Sequence, residues 1–343
     1  MPYAYISGTG AYVPPRVVTN DQLRTEFGID TTHEWILQRT GIEERRFAAD
    51  GVGTADLAVP AAEQAIKNAG IEKEDLDLIV FATLSPENCF PGSGVYLQEK
   101  LGLCTGPKAK FVPAMDVRNQ CSGFLYALAA AGGIVKSGGA KHALVVGAEV
   151  HSHALDLSTR GRQIASLFGD GAGAVVVSAT DEDRGLRSFK LGADGRFADT
   201  LAQRVWDLRK QKYIPTDENG VGQVTPDMMF AQMDGKVVFK NAVERMATVL
   251  MEVLLAEGIN GTDIDLFCFH QANLRINQWL QQTLGIPDEK IIHNIQRYGN
   301  TTAATIPLLL AEAVETGRLK KGMKVACVAF GSGFTWGAQV IDW

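Results

Sequence analysis

Apolar residues fall in short unbroken runs: Leu78-Ile79-Val80-Phe81, Ala143-Leu144-Val145-Val146, Ala174-Val175-Val176-Val177, Leu266-Phe267-Cys268-Phe269 and Val325-Ala326-Cys327-Val328. Runs without polar alternation predict strands covered on both faces. Between them the spacing predicts helices over 57–69, 122–135, 243–257 and 301–314. Strands alternating with helices predict an α/β fold.

The two halves of the chain resemble each other. Gly70-Ile71-Glu72-Lys73-Glu74-Asp75-Leu76-Asp77-Leu78 returns as Gly258-Ile259-Asn260-Gly261-Thr262-Asp263-Ile264-Asp265-Leu266, 188 positions later and without a gap. Val135-Lys136-Ser137-Gly138 returns as Val314-Glu315-Thr316-Gly317, 179 positions later. Gly-Ile and Asp-Leu pairs match by chance often enough, but two matches in one order favour duplication. The halves are read as 1–180 and 181–343. The second offset sets Cys121 against Asn300, and the first sets His270 against Ala82. In a parallel sheet, strand C-termini and the helix N-termini that follow share one edge. Cys121, His270 and Asn300 are therefore expected near the junction of the halves.

Composition narrows the class. Hydrophobic residues are 46% and charged residues 21%, which excludes a disordered chain. The 36 glycines and 12 prolines show no triplet period, which excludes collagen. With 33 basic against 39 acidic residues the net charge is −6, so a nucleic-acid binder is not expected. No apolar run approaches the ~18 residues of a membrane span, and 1–20 lacks the pattern of a secretory signal. The cysteines, Cys89, Cys104, Cys121, Cys268 and Cys327, form no C-x-x-C pair. Neither a disulfide framework nor a zinc site is expected, and the setting is read as reduced and cytoplasmic.

Three residues carry candidate chemistry. Cys121 opens a predicted helix, whose N-terminus carries about half a positive charge. That placement lowers a thiol pKa and makes a nucleophile; the other reading is a buried structural cysteine. His270 ends a buried strand, either as a polarising or proton-exchanging imidazole or as a hydrogen-bonded core residue. Asn300, in Gly299-Asn300-Thr301, is either a helix-capping turn residue or an amide donor. A neutral imidazole and a carboxamide can together donate two hydrogen bonds to an enolate oxygen. That suits carbon–carbon bond formation on a thioester better than peptide hydrolysis. Segment 169–174 reads as a tight turn into a strand, because it lacks the lysine of a phosphate loop. Segment 330–337 reads either as backbone donors for an oxyanion or as a bulge or turn. His151 and His153 have no companion ligands, and no metal site is expected.

Cys121 with Gly123-Phe124, His270-Gln271-Ala272-Asn273, Gly299-Asn300-Thr301 and segments 169–174 and 330–337 together resemble the β-ketoacyl-[acyl carrier protein] synthase III family, condensing enzymes of the thiolase superfamily. The resemblance runs from Ile6-Ser7-Gly8-Thr9-Gly10 to the C-terminus and rests on the order and spacing of these motifs. It implies a thiolase-like five-layered αβαβα fold of two duplicated halves, and a homodimer. It implies an acyltransferase of fatty-acid or related acyl-chain biosynthesis, with acyl-CoA and malonyl-acyl carrier protein as substrates and no further cofactor. Cys121 would take the acyl group, and His270 and Asn300 would stabilise the enolate left when malonyl loses CO₂. The amides of Cys121 and Ser332 would form the oxyanion hole. Trp35 and Arg162, or Arg160 in place of the latter, would sandwich adenine, with Arg39 beside them. Asn273 and Gly235 would hold pantetheine. Phe90 would shape the partner subunit's acyl pocket, Phe330 would shield the decarboxylation site, and Arg275 would engage the acidic carrier.

The chain departs from the family pattern in four places. Asn119-Gln120 replaces small residues before Cys121, and Ser332 replaces a glycine. Segments 101–113 and 196–233 are longer; the second carries Arg204, Arg209, Lys210 and Lys212. It reads as a lid, an acyl-pocket wall, a carrier-docking surface or a solvated loop. These changes leave the primer open. They also keep two alternatives in view: an acyltransferase of the same fold that uses an oxygen or nitrogen acceptor or makes a secondary metabolite, and a catalytically silent binding protein.

Overall fold

The computed structural model of the chain describes residues 2–204, 218 and 225–343. Its strands are β1 (Tyr3–Tyr12), β2 (Arg16–Thr19), β3 (Glu44–Phe47), β4 (Leu78–Ala82), β5 (Ala114–Val117), β6 (His142–Glu149), β7 (Gly171–Thr180), β8 (Gly185–Ala193), β9 (Leu201–Ala202), β10 (Gln232–Met233), β11 (Leu266–Phe269), β12 (Lys324–Gly331) and β13 (Thr335–Asp342). The helices are α1 (Asn20–Thr25), α2 (His33–Thr40), α3 (Thr54–Ala69), α4 (Ser93–Lys100), α5 (Gly123–Lys136), α6 (Arg162–Ala165), α7 (Pro226–Met229), α8 (Gly235–Glu257), α9 (Leu274–Leu284), α10 (Ile295–Tyr298) and α11 (Thr305–Glu315).

All five continuous apolar runs are strands. They lie in two mixed sheets, of order β1-β7-β6-β4-β5 and β11-β12-β13-β8. The sheets repeat each other. In the first, β4 is parallel to β6, while β6–β7 and β7–β1 are antiparallel. In the second, β11 is parallel to β12, while β12–β13 and β13–β8 are antiparallel. Helices α5 and α11 fill one apolar core between the sheets. Helices α3 and α4 cover the outer face of the first sheet, and α8 and α9 that of the second. The result is five layers, α-β-α-β-α, with strands apolar throughout because both faces are covered.

The repeated sequence makes the same turn twice. Gly70 (φ 68°) and Gly258 (φ 69°) end α3 and α8 in the left-handed region, where a Cβ is costly. One-turn helices Lys73–Asp75 and Gly261–Asp263 follow. In each, the last carboxylate receives a backbone N–H, Glu72 to Asp75 at 2.9 Å and Asn260 to Asp263 at 2.8 Å. Each copy then enters a buried strand.

Four boundaries differ from the pattern reading, each for a local reason. Helix α8 starts at Gly235, well before 243. Asp234 caps it by accepting the N–H groups of Lys236 and Val237, and its first turns are partly exposed, which hides the apolar period. Helix α11 starts at Thr305, because Thr302 has φ 51° and a one-turn helix, Thr302–Ala304, comes first. In 169–174 the strand has already begun at Gly171. Gly173 is small for packing, since a Cβ there would sit 2.7 Å from the Leu308 nitrogen. In 330–337, β12 and β13 pair as far as Gly331 and Thr335, leaving only residues 332–334 as the turn.

Within 196–233, β9 pairs antiparallel with β10, and the Arg204 guanidinium donates to Gln232 Oε1 at 3.0 Å. Arg209, Lys210 and Lys212 lie outside the described residues. Segment 101–113 is tied to the start of β4 by Lys110, whose ammonium donates to Asp77 at 2.9 Å. Among the described residues, no helix is long and apolar enough to cross a membrane, and no group of His, Cys, Asp and Glu is placed to hold a metal ion.

Candidate active site

Cys121 sits in the one-turn helix Gln120–Ser122 that leads into α5. Its neighbour across the junction is the end of β12. A Cβ on Gly331 would lie 2.9 Å from both the nitrogen and Cβ of Cys121, so only glycine lets the second half close on the cysteine. The next amide, that of Ser332, and Cys121's own N–H lie near the Cys121 sulfur, where they favour its thiolate. His270 follows β11 and donates its backbone N–H to Val328 of β12 at 2.8 Å. Asn300 is held on both sides by the loop after α6. Its N–H donates to Leu167 at 2.8 Å and its carbonyl accepts from Gly169 at 3.2 Å. The turn Thr302–Ala304 that follows packs on the Gln120–Ser122 turn. The elements carrying all three residues therefore adjoin one another, as the offsets predict.

Thr305 links two of them. Its Oγ1 lies 2.7 Å from His270 Nδ1 and 3.0 Å from the Thr302 carbonyl, so one hydroxyl hydrogen has two acceptors in reach. Given to Nδ1, it leaves the imidazole proton on Nε2. That nitrogen is buried without a hydrogen-bond partner among the described residues, and in this tautomer it can donate.

Burial sets the electrostatics. It pushes His270 down to about 3, so the ring is neutral at any working pH. It pushes the Cys121 thiol up to about 12, with the Glu149 carboxylate adding to the rise. The expected lowering at a helix N-terminus is thus reversed: the two nearby amides favour the thiolate, but desolvation outweighs them. Glu149 itself is pushed up to about 7 by burial, against hydrogen bonds from Ser85, Thr83, Leu84 and Ala303.

A cavity of about 1260 Å³ opens over Cys121, Gln120 and Ser332. His270 and Asn300, 2% and 4% exposed, do not border it. A second cavity of about 1060 Å³ is lined by Trp35, Arg39, Gly235 and Asn273. Both cavities touch Gln163, Gln232 and Met233, so the cavity at Trp35 adjoins the one at the cysteine. Arg39 and Arg162 lie over the Trp35 ring, 4.4 Å and 5.1 Å from its centre. Arg160 instead pairs with Asp156 at 2.6 Å and lies over Phe230.

The remaining candidates are scattered. Asn273 donates to the Arg39 carbonyl at 3.0 Å and caps α9 through Arg275 N–H. The Arg275 guanidinium turns inward, donating to the carbonyls of Leu37 and Gln38 at the end of α2 and to Gln278. Phe90 is 82% exposed, and Phe330 is buried with its ring 4.8 Å from that of Phe334. His151 and His153 diverge. His151 is buried with Nε2 2.6 Å from Thr302 Oγ1, and His153 is exposed.

Glu149, Thr305 and Arg45 were not singled out by sequence pattern. Glu149 had a signal, as the single charge in the apolar stretch 143–150. Arg45 had none: it lies in the charged run Glu43-Glu44-Arg45-Arg46 yet is fully buried. There it donates to Val18, Asn20 and Ser166 beneath the loops that hold Asn300.

Two repeated sheets around a shared helical layer, with a cysteine at the start of a central helix, define a protein of thiolase-like fold. Residues 115–195 match the family described as 3-oxoacyl-[acyl-carrier-protein (ACP)] synthase III, and residues 254–343 match its C-terminal counterpart. A β-ketoacyl-[acyl-carrier-protein] synthase III of Laribacter hongkongensis is 42% identical over 343 residues, covering all of both chains. The crystal structure of 3-oxoacyl-[acyl-carrier-protein] synthase III from Aquifex aeolicus has a TM-score of 0.86 at 39% identity, over 99% of this chain and 100% of that one. The priming β-ketosynthase of the R1128 polyketide pathway has a TM-score of 0.87 at 32% identity, over 99% and 96%. The chain belongs to the β-ketoacyl-[acyl-carrier-protein] synthase III family of acyltransferases.

Proposed function

We propose that the protein joins an acyl group from acyl-coenzyme A to a malonyl unit on acyl carrier protein, with loss of CO₂. In the first half-reaction the Cys121 sulfur attacks the thioester carbonyl. Coenzyme A leaves as the thiolate and takes up the proton the cysteine gives up. In the second, the C–CO₂ bond of malonyl breaks and its electron pair forms an enolate, to which His270 Nε2 and the Asn300 amide donate hydrogen bonds. The enolate carbon attacks the acyl-Cys121 carbonyl, the carbon–sulfur bond breaks, and Cys121 is reprotonated. One proton is consumed overall.

The observation that carries this reading is the Cys121 sulfur lying against two backbone N–H groups, its own and that of Ser332. An acyl oxygen on that sulfur would meet the same donors as it becomes an oxyanion. The neutral, desolvated His270 supports a hydrogen-bonding rather than a general-base role. The stack of Arg39 and Arg162 on Trp35 supports Arg162, over Arg160, as the partner for adenine, and the adjoining cavity at Gly235 and Asn273 supports the route of the pantetheine arm. Phe330, packed on Phe334 beside the Ser332 turn, is read as the shield of the decarboxylation site. The inward bonds of Arg275 leave it a supporting part in carrier docking.

The outer edge of β5, unpaired among the described residues, and the exposure of Phe90 and Phe111 support a homodimer formed along that edge. The repeated sheets support a division into halves 1–180 and 181–343. The five free cysteines support a reduced, cytoplasmic setting.

Intact-mass measurement across a panel of acyl-CoA thioesters tests the reading. Wild type should gain one acyl group and Cys121→Ala none; equal labelling of the two proteins would overturn it. His270→Ala and Asn300→Ala should still be acylated yet release no CO₂ from malonyl-acyl carrier protein. Product formed with malonyl withheld would instead favour an oxygen or nitrogen acceptor.

A further inference from the structure

Asn119 and Ser332 lie on two segments more than 200 positions apart, and the fold joins them. The Asn119 amide donates to Ser122 Oγ at 3.2 Å. Ser122 Oγ lies 2.8 Å from Thr335 Oγ1, and the Thr335 hydroxyl donates to the Ser332 carbonyl at 3.0 Å. The Ser122 hydroxyl has one hydrogen and two acceptors in reach, Thr335 Oγ1 and the Asn119 carbonyl at 3.1 Å. Given to Thr335, it aligns the three links in one direction: amide to serine, serine to threonine, threonine to carbonyl. Hydrogen bonds aligned in this way polarise and strengthen one another, the more so when water is excluded. Ser122 is fully buried and Thr335 nearly so. At the far end the Ser332 hydroxyl donates to the Leu201 carbonyl in β9.

The chain brackets a strained turn. Gln120, between Asn119 and Cys121, has φ 47°, a left-handed conformation that costs a residue with a Cβ about 1–2 kcal/mol. Asn119 reaches across this turn through its side chain, whose amide bonds Ser122 Oγ, so the clip spans the two peptides that place the Cys121 N–H. The other donor, the Ser332 N–H, is fixed by the Thr335 bond to its carbonyl and by the hydroxyl bond to Leu201.

We infer that Asn119, Ser122, Thr335 and Ser332 form a positioning chain that sets the two oxyanion amides at one fixed separation and couples them to the β9–β10 wall of the cavity. Small residues at 119 and 332 would leave this spacing to packing alone. The inference rests on the acyl-enzyme reading of Cys121. The four side chains do not react; they act through the amides of Cys121 and Ser332.

Two reactions of the same sulfur separate positioning from general structure. Acylation by acyl-CoA passes through an oxyanion, whereas alkylation by iodoacetamide does not. Thr335→Val keeps the shape and removes the central link, and Asn119→Ala removes the partly exposed end. We expect acylation to slow about tenfold in Thr335→Val and several-fold in Asn119→Ala, less than the ~100-fold or more that follows loss of a whole oxyanion donor. Alkylation should stay within twofold of wild type. The double variant should be no slower than Thr335→Val, because the chain is already broken. Acylation at the wild-type rate, an equal fall in alkylation, or additive effects would each overturn the inference. If Thr335→Val fails to fold, Ser122→Ala breaks the same link and is judged by the same comparison. Failure of wild type to be acylated by any thioester would instead remove the acyl-enzyme reading itself.

Discussion

His270 Nδ1 and Thr305 Oγ1 lie 2.7 Å apart, joining the end of β11 to the start of α11. Whether the hydroxyl hydrogen goes to Nδ1 or to the Thr302 carbonyl decides which ring nitrogen carries the proton. Thr305→Val keeps the volume and removes the hydroxyl. Condensation should fall on the order of tenfold or more, while acylation of Cys121 stays at the wild-type rate. The check is paired measurement of acyl-enzyme formation and CO₂ release. A parallel fall in both would assign Thr305 to packing.

Gly331 and Cys121 leave no room for a side chain between them. Gly331→Ala should push the cysteine off its amides and slow acylation about 100-fold, the usual effect of a displacement near 1 Å. Stability should fall by about 1–3 kcal/mol from overpacking. Stopped-flow acylation and urea unfolding measure the two effects separately, and wild-type acylation would show that the loop yields without consequence.

Cys121 is pushed up to about 12 by burial and by Glu149. Its alkylation rate should therefore rise roughly tenfold per pH unit from about pH 7 to 10, without a plateau. A plateau near neutrality would mean that the two amides, rather than desolvation, set the ionisation.

Glu149 makes stability depend on pH in a defined direction. Its carboxyl rises from 4.5 to about 7 on folding, so the folded chain binds the proton more tightly than the unfolded chain does. The group's contribution is fully present below pH 4.5 and is lost as pH rises through 7. The loss is about 3 kcal/mol, at 1.36 kcal/mol per unit. Glu149→Gln should remove this slope. At pH 5, where the wild-type carboxyl is protonated, it should also cost about 1–3 kcal/mol, because its NH₂ would face donors that bond the Glu149 side chain. The difference should shrink or reverse by pH 8. Urea unfolding of both proteins at pH 5 and pH 8 gives the difference, and parallel pH dependence would refute the assignment.

Much of the fold was legible from pattern. Strands covered on both faces must be apolar at every position, so β4, β6, β7, β11 and β12 stand out without alternation. The duplicated Gly-Ile turn stands out because a left-handed helix cap, a carboxylate-capped turn and a buried strand make strict local demands. Where demands were weaker the pattern failed. The first turns of α8 are half-exposed and carry little period, and Thr302 delays α11 through a backbone angle that composition does not encode.

The candidate site divides in the same way. Repeat offsets, which need only the order of elements, place Cys121, His270 and Asn300 at one edge. The ionisation of the cysteine did not follow, because a helix N-terminus is a local feature whereas desolvation depends on everything packed around the sulfur. Glu149, Thr305 and Arg45 act across 35 or more positions of sequence, through contacts no local rule contains. The amino-acid order by itself determined the α/β class, the buried strands and the repeat, since these rest on periodicity and short-range geometry. Only the tertiary structure decided which amides meet the sulfur, which groups stay neutral and which polar residues join across the two halves, because burial and hydrogen-bond distance are properties of the assembled core.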